Sequence, residues 1–242
     1  MHRLIPLLLL VLAACTEMPA PTTPAPQDSP DTKVQTDVRV RAGAAAQRFV
    51  TVVETVEPVA ERVCRERTRG MNCNFQIVVD DRPGEPANAF QTIDETGRPI
   101  IGFNIALIAT ARNADELAFI LGHEAAHHVL DHISKTVQSA TVGAVIFSGI
   151  AALGGADAEA VRSAEELGAT VGARTYSKEF ELEADQLGTI IAARAGYDPV
   201  RGSAFFTRIP DPGNRFLGSH PPNAARVEIV RKTYAAFKAG NI

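Results

Sequence analysis

Two histidines four residues apart, inside an apolar segment, constrain this chain more than any other feature. His123 and His127 follow apolar residues that recur at helical spacing, namely Leu117, Ile120 and Leu121. Residues four apart lie on the same face of a helix, roughly 6 Å apart along its axis. Because buried imidazoles without a partner are costly, the pattern predicts a helix that presents both rings to a common partner.

The start of this helix is also marked in the sequence. Asn113 is a favourable N-cap residue, and Glu116 follows three residues later, as in a capping box. We therefore predict a helix from Asn113 to about Ser134.

The residues between the histidines indicate metal chemistry. Two imidazoles in this arrangement can bind one zinc ion, and Glu124 follows the first of them. Its carboxylate can take a proton from water that zinc activates. The small side chains of Ala125 and Ala126 leave room for a metal ion to approach the helix. The segment predicts one zinc ion per chain, with Glu124 as the catalytic base.

A catalytic zinc needs a third protein ligand. One class of zinc enzymes provides it as a histidine in the arrangement H-x-x-G-x-x-H. This chain has Leu130 at the glycine position and Ile133 at the last histidine position, which excludes that class. His128 and His132 do not fit the spacing. We interpret them as surface residues, or as residues that hydrogen-bond a ligand from behind.

The third ligand is then expected to be a carboxylate on a later helix. Glu181 and Asp185 are four residues apart and share a helix face. Glu181 can bind the metal, and Asp185 can accept the N–H of a zinc-bound histidine. Glu179 and Glu183 fall on other faces and are interpreted as solvated charges.

The N-terminus has the pattern of an export signal. Residues 4–12 are apolar except for Pro6, and residues 12–15 read Leu-Ala-Ala-Cys. A membrane-spanning helix needs roughly 20 apolar residues, so this run is too short. Residues 1–14 resemble a bacterial lipoprotein signal peptide, with Cys15 as the lipidated N-terminus. The alternative is a secretory signal with an incidental cysteine. The residue after Cys15 is not Asp, and this resembles the pattern of lipoproteins that are sorted to the outer membrane.

The chain after the signal is predicted to contain a tether and one folded domain. Residues 15–36 are rich in Pro and Thr and predict a disordered tether, which leaves residues 37–242 as the folded domain. In an oxidising compartment, Cys64 and Cys73 are expected to form a disulfide. The alternative is a pair of buried thiols.

The remaining segments predict a mixed fold of the α+β class. Residues 37–67 have a helical apolar stripe, which Pro58 either kinks or splits. Residues 75–80 are rich in β-formers, and residues 88–93 and 99–103 flank a turn, which indicates a hairpin.

The segment 140–156 is apolar and rich in glycine. It is interrupted and too short for a convincing membrane span. We interpret it as a buried or surface-seeking hairpin arm, with membrane contact as the alternative. Further helices are expected over residues 157–195 and 221–239.

The two motifs together resemble a known family. H-E-x-x-H at 123–127, followed by E-x-x-A-D at 181–185, is similar to the HtpX/BepA/LoiP group of membrane-associated zinc peptidases, metallopeptidase family 48. The likeness covers roughly residues 88–226. It implies a mainly helical, gluzincin-like zincin domain with a small β-sheet beside the active-site helix. It also implies Glu181 as the third zinc ligand, with Asp185 as its neighbour.

The same resemblance bears on residues outside the motifs. His220, in Ser219-His220-Pro221, matches a histidine that in some relatives reaches the zinc and holds the enzyme inactive. The alternative is that it caps the last helix. Tyr176, His220 and Arg226 are all open candidates for stabilising the oxyanion. The resemblance also implies that residues 88–93 pair with an extended substrate, and that residues 140–156 form a lid or a membrane-touching element.

These features predict an endopeptidase of the bacterial cell envelope. The formal net charge is −4 without a basic block, which argues against nucleic-acid binding. By resemblance, the substrates are misfolded or mis-assembled envelope proteins, and the enzyme is lipid-anchored at the periplasmic face of the outer membrane. The alternatives are a periplasmic chaperone or assembly factor that retains zinc, and an inert scaffold lipoprotein. Cleavage specificity and oligomeric state are left open.

Overall fold

The computed structural model describes residues 30–211, 213 and 220–242. The signal peptide, Cys15 and Ser219 lie outside the described residues, so the lipid anchor stays a prediction. The chain divides into two compact units, Met1–Arg39 and Val40–Ile242. The predicted catalytic, metal-binding and disulfide residues all belong to the second unit.

Helix α1 spans Pro30–Arg67 and is not split at Pro58. Residues 30–36, expected in the disordered tether, are therefore helical. A proline suits the first helical position, because its fixed φ matches the helix and its missing N–H would have no partner there. The predicted apolar stripe is buried at Phe49, Val52, Val56, Val59, Ala60 and Val63.

A disulfide joins the end of α1 to the loop that follows it. It links Cys64 and Cys73, whose Cα atoms are 5.7 Å apart, which is the disulfide expected for this pair. The bond therefore holds the end of α1 close to the start of the first β-strand. Phe75, two residues after Cys73, is buried in the same core as α1.

The sheet has three strands, β1 (Gln76–Asp80), β2 (Ala89–Ile93) and β3 (Pro99–Asn104), in the order β1-β3-β2. The antiparallel pairing of β2 with β3 confirms the predicted hairpin. Its turn includes Gly97 at a φ of +82°, which glycine adopts without steric cost. β1 pairs in parallel with β3. The central strand β3 is buried, and β2 is an edge strand.

Helix α2 (Ile105–Thr110) is followed by the motif helix α3 (Ala114–Val129). The side chain of Asn113 accepts the N–H of Glu116, which confirms the predicted cap. The predicted end near Ser134 is wrong. Asp131 has a left-handed φ of +56°, which short polar side chains tolerate, so the chain turns there.

Helices α4 (His132–Leu153) and α5 (Ala158–Thr175) form an exposed hairpin arm. Their backbones are in contact at Gly143 and Gly168. A Cβ added to Gly143 would lie only 2.1 Å from the carbonyl oxygen of Gly168. Of the two forms expected for this hairpin arm, buried or surface-seeking, the structure shows the exposed one, since none of the apolar stretch of α4 is buried. Among the described residues, α4 alone is long and apolar enough to cross a membrane, by length and composition only.

The rest of the unit packs helices around α3. These are α6 (Ser177–Arg194), α7 (Pro199–Gly202), a 3-10 helix (Ser203–Thr207) and α8 (Asn223–Lys238). Glu116, 1% exposed, accepts hydrogen bonds of 2.8 and 2.6 Å from Arg208 and so ties the start of α3 to the end of the 3-10 helix. A mainly helical domain with a small sheet confirms the predicted α+β class.

Candidate metal centre

Two glycines allow α3 and α6 to come into backbone contact beside the paired histidines. A Cβ on Gly122 would lie 2.8 Å from the carbonyl oxygen of Gly188, and a Cβ on Gly188 would lie 2.7 Å from the backbone nitrogen of His123. Any side chain at either position would push the helices apart. Because Gly188 is seven residues after Glu181, on the same face of α6, this contact brings Glu181 towards the histidines.

The structure gathers three donor groups at this point. The Nε2 atoms of His123 and His127 are 3.0 Å apart. The Glu181 carboxylate lies 3.6 Å from Nε2 of His123 and 3.5 Å from Nε2 of His127. A tetrahedral zinc ion with bonds of about 2.0–2.1 Å places its donors roughly 3.3 Å apart. Two imidazoles and one carboxylate at this spacing fit such an ion.

The protonation states of His127 and Glu181 suit metal ligands. Burial lowers the pKa of His127 to about 3, so its imidazole is neutral and has a free lone pair. Burial alone would raise the pKa of Glu181. The hydrogen bond from His220 and the positive field of His123 and Arg226 outweigh burial and hold that pKa well below its usual range.

Comparison with known proteins identifies the family. Residues 47–234 match the family model described as Peptidase family M48. The chain belongs to Peptidase family M48. This confirms the resemblance found in the sequence and the predicted metallopeptidase class.

Curated relatives agree with the M48 assignment. A Vibrio cholerae protein named as a putative beta-barrel assembly-enhancing protease is 30% identical over 129 residues, which cover 50% of this chain and 26% of the relative. The mitochondrial metalloendopeptidase OMA1 of Bos taurus is 28% identical over 75% of this chain, and that of Homo sapiens 27% over 76%. Each match covers 36% of OMA1. The chain thus spans about a quarter to a third of these relatives' length.

In this M48 domain, Asp185 supports His123 from behind. Its fully buried carboxylate lies 2.9 Å from Nδ1 of His123. Both of its oxygens also accept 2.7 Å hydrogen bonds from Arg226, whose guanidinium lies 3.9 Å from the centre of the Phe206 ring. Burial, the largest influence, opposes protonation of His123, but the hydrogen bond to Asp185 and the negative charges of Asp185 and Glu181 together outweigh it and raise the pKa of His123.

Glu124 lies beside the three donor groups and is partly buried. Burial raises the pKa of its carboxyl from 4.5 to about 7. A carboxyl with such a pKa can both accept and release a proton near neutral pH.

The three oxyanion candidates lie in different surroundings. His220 places Nδ1 3.3 Å from the Glu181 carboxylate and has a half-exposed side chain. Arg226 is buried and engaged by Asp185. Tyr176 is exposed and lines neither of the two cavities beside the donor groups.

Those cavities lie along the edge strand β2. The larger, of about 550 Å³, is lined by Asn88 and Ala89, and the smaller, of about 350 Å³, by Gln91. Glu124 and the candidate ligands His127 and Glu181 line both. The edge strand therefore runs past the candidate metal centre.

The interpretation of His128 as a surface residue is wrong. Its side chain is buried, its Nε2 lies 2.7 Å from the backbone oxygen of Asn72, and its ring packs edge-on against Phe75. His128 thus links α3 to the segment before β1, and it makes no contact with the candidate ligands.

His132 takes the second of the two roles predicted for it, since it contacts a candidate ligand from behind. It is buried, and its Nδ1 lies 2.9 Å from Nδ1 of His127. Glu183, interpreted as a solvated charge, is half-exposed but lies 3.2 Å from Nε2 of His132. An unbroken helix would have carried His132 away from the site. The tolerance of Asp131 for left-handed backbone was the signal for the turn that brings it back.

Proposed function

We propose that this chain is a zinc-dependent endopeptidase of the bacterial cell envelope, with His123, His127 and Glu181 holding one zinc ion. The observation that carries the proposal is the spacing of the three donor atoms, 3.0 to 3.6 Å, beside a carboxyl whose pKa is about 7. Membership of Peptidase family M48 supports it independently.

Zinc bound there would act as a Lewis acid that polarises the scissile carbonyl and acidifies a water molecule. Glu124 takes the proton from the attacking water and later delivers it to the leaving amine. Its raised pKa makes both transfers feasible near neutral pH. Asp185 holds His123 in the orientation that directs Nε2 towards the other donors.

The substrate is a polypeptide in extended conformation. As an edge strand beside the site, β2 offers unpaired backbone groups that an added strand can use. The two cavities beside the donor groups would take side chains of that strand.

The cellular setting follows from the N-terminal sequence. The lipoprotein-like signal and Cys15 support a lipid anchor at the periplasmic face of the outer membrane. The Vibrio cholerae relative, named for beta-barrel assembly, favours a role on misfolded or mis-assembled envelope proteins. The long apolar face of α4, which the structure leaves exposed, suits a position close to a membrane.

The test is a casein digestion assay with a parallel zinc determination. Wild type should carry one zinc ion per chain and degrade casein. Glu124→Gln should keep zinc and lose activity by about 10²-fold or more, whereas Glu179→Gln, exposed on α6, should match wild type. Absence of zinc from wild type at neutral pH would refute the proposal, and a cellular role that survives Glu124→Gln would favour a chaperone.

The same assay decides the role of His220, which lies against the Glu181 carboxylate on the exposed side of the site. His220→Ala should be more active than wild type if His220 blocks the metal. It should be nearly inactive if His220 stabilises the transition state.

A further inference from the structure

We propose that His132 and Glu183 form a second supporting chain, which orients His127 as Asp185 orients His123. The inference rests on the proposed zinc site and assigns positioning roles to two residues that do not contact the metal. It follows from the order of side chains Glu183, His132, His127 along one line of short contacts.

The contacts allow one consistent arrangement of protons. For Nε2 of His127 to bind a metal it must have a free lone pair, so the ring proton lies on Nδ1. That N–H points at Nδ1 of His132, 2.9 Å away. His132 must then accept at Nδ1 and carry its own proton on Nε2, which donates to the Glu183 carboxylate 3.2 Å away. Each ring is neutral, and each hydrogen bond has one donor and one acceptor.

The ring of His132 is held in place for this task. It is 4% exposed and stacks on Phe180, with ring centres 4.5 Å apart and planes inclined by 16°. Phe180 directly precedes the candidate ligand Glu181 on α6. The left-handed residue Asp131 sets the direction from which His132 enters. The acceptor for His127 is therefore fixed by both α4 and α6.

His132 and Glu183 differ in how much they are exposed to solvent. His132 is buried, whereas the Glu183 side chain is 51% exposed, where water can replace part of its role. Loss of His132 should therefore cost more than loss of Glu183. Removing a partner that supports a metal-binding histidine typically weakens metal affinity about 10- to 100-fold.

His132→Phe separates positioning from packing, because phenylalanine keeps the stack on Phe180 but offers no acceptor to His127. The readouts are the zinc dissociation constant, by competition with a chromophoric chelator, and the visible spectrum of the cobalt(II)-loaded protein. We expect His132→Phe to weaken zinc binding about 10- to 100-fold and to change the cobalt spectrum. Zinc affinity within twofold of wild type and an unchanged spectrum would overturn the proposal.

Glu183 provides a second test at a half-exposed position, where folding is not at risk. Glu183→Ala should weaken zinc binding by less than His132→Phe does, and Glu183→Gln, which keeps an acceptor oxygen, should restore most of the loss. Glu179→Ala, exposed on the same helix, is the matched control and should bind zinc as wild type does. Equal zinc affinity in Glu183→Ala and Glu179→Ala would show that Glu183 has no role in positioning His127.

The double variant tests whether the two residues act in series. If Glu183 acts only through His132, adding Glu183→Ala to His132→Phe should change zinc affinity no further. Additive losses would contradict the chain. A wild-type protein that binds no zinc would refute the proposed function itself, which distinguishes that failure from failure of the positioning roles.

Discussion

Replacing Glu124 with glutamine should stabilise the metal-free protein above neutral pH. The cause is the burial that raises the pKa of this carboxyl from 4.5 to about 7. A raised pKa means that folding favours the protonated, uncharged form. The stability that this form contributes is fully present below pH 4.5 and is lost as pH rises through about 7. Glutamine is uncharged throughout and loses nothing.

The size of the effect follows from the same numbers. The pKa differs by about 2.5 between the two states, and a difference of one corresponds to about 1.4 kcal/mol. Above about pH 8, Glu124→Gln should therefore exceed wild type in free energy of unfolding by about 3 kcal/mol. In a unit of this size, that is a rise of roughly 6–12 °C in melting temperature.

The assay is urea unfolding of wild type, Glu124→Gln and Glu179→Gln in chelator at pH 5 and pH 8. The gain from Glu124→Gln should be several-fold larger at pH 8 than at pH 5, and Glu179→Gln should show no such dependence. A Glu124→Gln gain that is the same at both pH values would refute the reasoning.

Three further predictions concern the supports of the site. Gly188→Ala should destabilise the domain by about 1–3 kcal/mol and weaken zinc binding, because its Cβ would meet the backbone of His123. Gly149→Ala, in the exposed helix α4 with nothing within 4 Å of its Cβ, should leave zinc affinity unchanged and stabilise the protein by about 0.5–1 kcal/mol through helix propensity. Arg208→Met should cost about 3–5 kcal/mol in urea unfolding, since it leaves the buried carboxylate of Glu116 without its cation partner. An Arg208→Met variant as stable as wild type would contradict that role. Zinc at about a thousand times its dissociation constant should stabilise wild type by about 4 kcal/mol in thermal unfolding, and no shift would indicate that folded and unfolded chains bind it alike.

Much of the site could be predicted because its chemistry is encoded in local spacing. His123 and His127 share a helix face by their separation alone, and Asn113 marked the start of that helix. Glu181 was found by its chemistry and its place in a second helical motif, and the structure brings it within 3.6 Å of His123.

The parts that were missed depend on contacts between distant segments or on a single backbone angle. The left-handed Asp131 ends α3 before the expected boundary and returns His132 to the site. The contact between Gly122 and Gly188 joins two helices far apart in sequence, and periodicity within either helix does not reveal it. The apolar composition of α4 suits burial, but the Gly143–Gly168 contact pairs α4 with α5 and the apolar stretch of α4 stays exposed.

The most direct test of the account is anomalous diffraction at the zinc absorption edge from crystals of the zinc-loaded protein. The account predicts one peak per chain, enclosed by Nε2 of His123, Nε2 of His127 and the carboxylate of Glu181. A fully folded protein with no peak at this position, or with Glu181 turned away from a bound ion, would contradict it.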